Sequence, residues 1–326
     1  MSPVRHLAFV RPPAPSKGVI NNACTNASIV CSIRSYLGYA KSVAPPGEWK
    51  ANRKSVVTAD RNSSIVVIHQ KGGTATVLMN RPESLNALDV GLTEALLAAL
   101  RDLADDETVR AVCITGAGRA FCAGADLREM TALGAEVTGD RPDLRRALIE
   151  RFNPITVELR QMPKPVVAAV NGACVGIAVG YALACDYIIA AESAYFLLPF
   201  VNLGLAPVGG VSAFLPARIG ATRAGELAFS GRRLSAFDAL DWSLINQLAT
   251  EDAFEDEVTN TMTKLAIGPT RAYTVMKRQA NAWLYPRLPE QLSLEADTQD
   301  ELTATADFRT GLAAFSQKVT ARFCGG

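Results

Sequence analysis

Two stretches of this chain can bring backbone amides against a ligand. The first is Gly116-Ala-Gly118 followed by residues 121–126, FCAGAD. Glycines release the backbone there and small side chains follow, so main-chain N–H groups can approach a bound molecule closely. The second is residues 175–180, VGIAVG, read as the start of a helix. Unpaired N–H donors and the helix dipole favour negative charge at such a point. Two loops of this kind facing one another would hold a developing oxyanion. Spacing alone leaves a second reading open, in which both are tight strand–helix turns and nothing more. Neither loop matches the dinucleotide or P-loop phosphate pattern.

Other chemistry is poorly served. Two histidines, His6 and His69, stand apart from any cysteine cluster, so no metal site is expected. There is no G-x-S-x-G elbow for a serine hydrolase. Cys122 and Cys174 flank the two loops in apolar surroundings, where cysteines are inert packing. Glu226 and Asp186 read as solvated or capping carboxylates.

The elements that must position these loops follow from periodicity. Residues 64–69 and 75–79 read as strands around Lys71-Gly72-Gly73, a hairpin signal. Residues 89–104 read as a helix, with Leu92, Leu96, Leu97, Leu100 and Leu103 on one face and Asp89 as N-cap. A buried strand over 109–115 enters the first loop. A long helix over 143–162 stops at Pro163. Then come a strand at Val166, a helix after Val175 and a strand over 187–190. From Arg223 the pattern is mainly helical: 223–229, 236–242, 253–267, 269–282, 289–305 and 307–319. A mixed core followed by helices is an α+β organisation.

The apolar run from Pro165 to Cys185 has the length of a membrane helix. It reads better as a short strand, the Asn171-Gly172 turn and a buried helix. The 326 residues are 49% hydrophobic, enough for one large or two modest domains, and a net charge of +1 gives no electrostatic case for nucleic acid. Seven cysteines without a C-x-x-C pair fit a reduced, cytoplasmic setting. Residues 1–60 differ from the rest: no acid precedes Glu48, while Arg5, Arg11, Lys17, Arg34 and Lys41 are spread among small and polar residues. Three readings stand for this extension: a tail, a transit peptide to an organellar matrix, or a misassigned start with translation beginning near residue 57.

Four motifs together resemble the crotonase superfamily, the enoyl-CoA hydratases and isomerases. They are residues 81–88 (RPESLNAL), 115–130 (TGAGRAFCAGADLREM), 164–172 (KPVVAAVNG) and Cys185-Asp186. The resemblance runs from about residue 64 to residue 323. It implies a spiral of ββα turns over residues 61–255 and a C-terminal helical, trimerising region over 256–326. It implies a coenzyme A thioester as substrate with no separate cofactor, and a homotrimer or hexamer with no nucleic-acid partner. The oxyanion-hole donors would be the backbone N–H groups of Ala125 and Ile177. Ser84, Leu85, Ala123, Ala125, Asp126, Leu127, Arg128, Gly176 and Ile177 would line the substrate and coenzyme A site. Lys71 and Arg81 would either face its phosphates or be solvated loop charges.

The carboxylates depart from the pattern. Hydratases of this type carry glutamates at the positions of Gly180 and Phe200, and both are needed to activate water. An isomerase group carries its acid where this chain has Val208, in Leu205-Ala-Pro-Val-Gly-Gly210. The surroundings of Phe200 and the tail Asp307 to Phe315 are similar to that group, including the ring-opened phenylacetyl-CoA type. Isomerisation is therefore expected over hydration, and a silent acyl-CoA binder is the alternative. Asn202, between Phe200 and Val208, is the remaining polar side chain able to orient water or a carbonyl. Ile177 brings bulk into a loop that is usually glycine, which would narrow the acyl pocket or redirect the loop.

Overall fold

The computed structural model describes residues 64–126, 128 and 142–326. The basic extension over residues 1–60, with the alternative start near residue 57, and Leu127 lie outside the described residues.

Strands β1 (Val66–Lys71) and β2 (Thr74–Met79) form the hairpin read from the sequence, pairing antiparallel from Val66↔Met79 to Lys71↔Thr74. Gly72 and Gly73 turn it at φ 57° and 81°. Positive φ at both turn residues suits the twist of the flanking strands, and glycine adopts it without steric cost. Helix α1 (Val90–Asp105) follows, with Leu92, Leu96, Leu100 and Leu103 buried. Asp89 caps it by accepting from the Leu92 N–H at 2.7 Å.

The chain then climbs in repeated turns. Strand β3 (Ala111–Gly116) pairs parallel to β2, and β4 (Ala120–Cys122) passes to a second sheet. Helix α2 (Leu144–Ala147) continues through one π turn (Leu148–Phe152) into α3 (Asn153–Gln161). The π turn sits where Pro154, lacking an N–H, cannot bond back to the preceding turn. The order repeats as β5 (Val166–Val170), β6 (Ala173–Val175) and α4 (Ile177–Ala184). It repeats again as β7 (Tyr187–Ala191), β8 (Tyr195–Leu197), a 3-10 turn (Pro199–Leu203) and α5 (Val211–Ser230). Strand β9 (Arg233–Ser235), helix α6 (Ala236–Asp241) and strand β10 (Gln247–Ala249) close the series.

One sheet has the order β1-β2-β3-β5-β7-β10 and the other β4-β6-β8-β9. The three turns from β3 to α5 each place one strand in each sheet and add a helix, which is a ββα spiral. Helices α7 (Phe254–Ile267), α8 (Thr270–Leu284), α9 (Leu288–Thr303) and α10 (Ala306–Gln317) complete the α+β order.

Every residue of β5 and α4 is buried, so the apolar run through them is interior. No helix among the described residues is long and apolar enough to cross a membrane. Two elements differ from the sequence reading. The strands of the smaller sheet have three residues each apart from their loops, too short for alternation to register. Helix α5 begins at Val211, well before residue 223, because Pro216 and Gly220 disguise its first half. Gly220 breaks the helix at φ 78°, ψ 161°, and the periodicity picked up only the second piece.

Candidate functional site

The first loop rests on Asn86, which is fully buried. Its amide donates to the carbonyls of Ala117 and Ala120 at 3.0 and 2.8 Å, and its oxygen accepts from the Arg81 N–H at 2.9 Å. This ties residues 81–88 to the chain leaving β3. Gly116 is required there, since a Cβ would lie 2.2 Å from the carbonyl oxygens of Ala120 and Phe121. Beyond β4, Leu88 pairs with Ala125: the Leu88 N–H donates to Gly124 O at 2.8 Å, and the Asp126 N–H donates to Leu88 O at 3.0 Å. In that pattern the N–H of Ala125 itself points away from Leu88.

The second loop is made by Gly176, whose φ of 60° turns the chain from β6 into α4. Its N–H donates to Leu197 O at 2.8 Å. Ile177 is the first residue of the helix, so its N–H has no intrahelical acceptor. The two loops touch. A Cβ on Gly124 would sit 2.8 Å from Val175 O and 3.8 Å from the Gly176 Cα. Ala125 and Ile177 each follow, by one residue, a glycine of this contact.

The three acid positions gather around this second loop. A Cβ on Gly180 would lie 2.3 Å from Gly209 O, so a glutamate has no room there. The ring of Phe200 reaches to 3.8 Å from where a Gly176 Cβ would stand. Phe200 and Val208 are both buried in the main core. The bulk of Ile177 is absorbed by Gly209, where a Cβ would be 2.5 Å from the Ile177 Cγ1. The isoleucine is 3% exposed and packs into the core, away from open space.

Residues 69–326 match the sequence model of the enoyl-CoA hydratase/isomerase family. The chain belongs to that family. It is 36% identical over 260 residues to the 1,2-epoxyphenylacetyl-CoA isomerase of Escherichia coli K12, covering 80% of this chain and 98% of the relative. It is 32% identical over 260 residues to the trans-2-decenoyl-[acyl-carrier-protein] isomerase of Streptococcus mutans, again covering 80% and 98%. A crystal structure of an enoyl-CoA hydratase from Mycobacterium avium subsp. paratuberculosis K-10 shares the crotonase fold, with a TM-score of 0.71 and 35% identity over 80% of this chain and 98% of that one.

Against this family frame, several side chains stand where the sequence did not put them. Arg81 is bound inward: its guanidinium donates to Ala87 O at 2.6 Å and pairs with Asp89 at 2.9 Å and Asp126 at 3.8 Å. It is therefore neither a solvated loop charge nor a group held out toward phosphates, while Lys71 is exposed. Asp126, beside the first loop, is tied to Arg81 and accepts from the Arg128 N–H at 3.1 Å. Ser84 donates to Arg81 O within its own turn, and Leu85 takes a left-handed conformation at φ 54°. Ala123 donates to Leu85 O at 3.0 Å, which leaves it part of the same pairing. Asn202 is exposed and its carboxamide lies against Gly231, so it orients nothing beside Phe200. Cys122 and Cys174 are buried, and burial pushes the Cys122 thiol up to about 12 and Cys174 well above its ordinary value. Both are inert, as read from the sequence.

Asp186 is not a solvated or capping acid. It accepts from Arg160 and Lys277 at 2.7 and 2.8 Å and from the Val166 N–H at 2.9 Å. Sequence reasoning also missed a polar ladder on α9. Gln291 donates to the Ser212 hydroxyl at 2.8 Å, and Gln299 donates to Ala206 O. Glu295 accepts from the N–H groups of Gly210 and Ser212 at 2.8 and 3.1 Å and from the Ser212 hydroxyl. These residues recur every four positions along one face and grip the segment that carries Val208. The spacing was visible in the sequence; that this polar face turns inward was not, because polar residues mark the solvent face of most helices.

Proposed function

We propose that this protein binds an acyl-CoA thioester and stabilises its enolate between the backbone N–H groups of Ala125 and Ile177. The observation that supports this reading is the close approach of Gly124 to Val175 and Gly176, since Ala125 and Ile177 are the next residues along each loop. Such donors act where charge develops, and each contributes on the order of 10²–10³ in rate. The coenzyme A thioester is the substrate, and no separate cofactor is invoked. In this reading Arg128 and residues 123–126 face the coenzyme A side.

Isomerisation of an enoyl double bond is favoured over hydration. Hydration by two glutamates needs an acid at residue 180, where Gly209 leaves no space, and another at residue 200, where a phenylalanine ring dries the site. An isomerase shuttles one proton between carbons, and the buried Val208 stands where its acid belongs. Decarboxylation of a malonyl-type thioester also suits the site, since it forms an enolate without removing a proton. The absence of an acid at Gly180, Phe200 and Val208 favours a second reading, a catalytically silent acyl-CoA binder. We further propose a cytoplasmic homotrimer or hexamer.

Purified protein incubated with 2-enoyl-, 3-enoyl- and malonyl-type CoA thioesters, followed by mass-resolved chromatography, separates these readings. Turnover of any one above buffer names the reaction. Retention of acyl-CoA without turnover establishes the binder. Val208→Asp is expected to raise isomerase activity at least about tenfold, the lower end of what a positioned base supplies being about 10². A variant that binds acyl-CoA and stays inert overturns the idea that only the base is missing.

A further inference from the structure

Helix α4 begins at the proposed oxyanion hole and ends among buried and half-buried cations. The accounting of its last carbonyls is complete. Tyr181 O accepts from the Cys185 thiol at 3.3 Å and Ala182 O from the Cys185 N–H at 3.2 Å. Ala184 O accepts from Arg160 at 3.1 Å. Leu183 O and Cys185 O both accept from Arg218, at 3.0 and 2.8 Å. Two helices supply these side-chain donors, α3 through Arg160 and α5 through Arg218; Lys277 of α8 joins the cluster by donating to Leu159 O and Asp186.

The charges do not balance. Arg160 and Lys277 share Asp186, while Arg218 has no carboxylate within salt-bridge distance among the described residues. Its Nε is buried without a hydrogen-bond partner. A guanidinium remains charged in such a setting. Arg218 is half-buried, and drawing an unpaired cation even partly out of water is costly, while two helix-end carbonyls could be satisfied by less. The arrangement does something else at a distance. A helix carries about half a positive charge at its N-terminus and about half a negative charge at its C-terminus. In a helix of eight residues those ends are only about 12 Å apart, so the negative end weakens the positive one. A cation on the C-terminal carbonyls removes that opposition.

We propose that Arg218 is an electrostatic positioning residue for the oxyanion hole, acting through α4: with Arg160 it neutralises the C-terminal end of the helix and leaves the positive end unopposed at the Ile177 N–H. This rests on the reading of Ala125 and Ile177 as donors to a thioester oxygen. A unit charge about 13 Å away in a medium of effective dielectric about 20 changes the rate of an enolate-forming step about tenfold.

The test uses the full chain and a CoA thioester of an electron-rich cinnamic acid, whose absorption moves to longer wavelength when its carbonyl is polarised. Binding is measured separately by equilibrium dialysis and folding by thermal melting. Arg218→Gln removes the charge while keeping an amide donor on a shorter side chain; Arg218→Lys keeps the charge but changes the geometry. The wild type is expected to shift the spectrum on binding, Arg218→Lys to retain most of the shift, and Arg218→Gln to lose most of it while binding within about threefold. Should Arg218→Gln fail to fold, Arg218→Met supplies the same loss of charge. A full shift in the uncharged variant overturns the inference. So does loss of the shift in Arg218→Lys to the same extent as in Arg218→Gln, which would make the role structural. Binding by the wild type with no shift at all overturns the oxyanion-hole reading itself, and this inference with it.

Discussion

At the scale of single residues, the site is defined as much by what cannot be placed as by what is present. Gly180 is held against the carbonyl of Gly209, and Gly209 in turn against the side chain of Ile177. Gly180 cannot grow without displacing backbone, nor Gly209 without displacing the Ile177 side chain. Gly180→Ala is expected to lower unfolding free energy by about 3 kcal/mol, the upper end of the cost of overpacking, because the opposing atom belongs to main chain. Urea denaturation would measure it, and a loss below about 1 kcal/mol would mean that the segment at 208–210 yields easily. This packing also explains why restoring the hydratase acid at residue 180 is a poor engineering route, whereas Val208 has side-chain volume to exchange.

Elements do the positioning. Helix α9 holds the Val208 segment through Gln291, Glu295 and Gln299, and Gly209 of that segment supports α4. The C-terminal helices therefore shape the site without supplying a donor to it. Burial pushes Glu295 above the ordinary value of 4.5, against the hydrogen bonds from Ser212 and Gly210 that lower it. A carboxyl raised on folding binds its proton more tightly in the folded state. Its contribution is full below the unfolded value and is lost as pH rises through the folded one. Glu295→Gln turns an NH2 toward the N–H of Gly210 or Ser212, at a cost of about 1–3 kcal/mol near neutral pH. The stability gap between wild type and Glu295→Gln is expected to widen as the pH falls from neutral. Denaturation curves at a series of pH values check this; a gap that narrows in acid would show a carboxyl depressed by its hydrogen bonds instead.

The whole molecule leaves apolar surface on its helical end. On α8, Trp283 is 84% exposed, and Met276 and Leu284 are exposed with it; Ile267 stands exposed at the end of α7. A soluble chain rarely displays large apolar side chains together without covering them. The homotrimer or hexamer proposed above would cover this face. Trp283→Glu is expected to shift the sedimenting species toward monomer while leaving the helical circular-dichroism signal unchanged. An unaltered oligomer would place the interface elsewhere. Phe229, near the end of α5, adds to this exposed apolar surface at 83% exposure, whereas Phe196, Phe200 and Phe214 are buried.

Much was legible before any coordinates. The hairpin with its paired glycines, the Asp89 cap of α1, the interior nature of residues 165–185 and the turn of the chain into α4 at Gly176 all follow from local patterns. Those patterns are short-range, because φ preferences, capping and periodicity are settled within a turn or two of chain. The four motifs likewise marked the family. Only the tertiary structure decided that Gly124 touches Gly176, that Gly209 closes the space beside Gly180, and that Arg81 turns inward to Asp89 and Asp126. The same is true of Glu295 facing Gly210 and of Arg218 facing the end of α4, contacts that span 85 and 35 residues. A buried carboxylate and a solvated one are the same letter in a sequence. Their difference is made by which distant backbone donors the fold brings within 3 Å, and that is a property of packing.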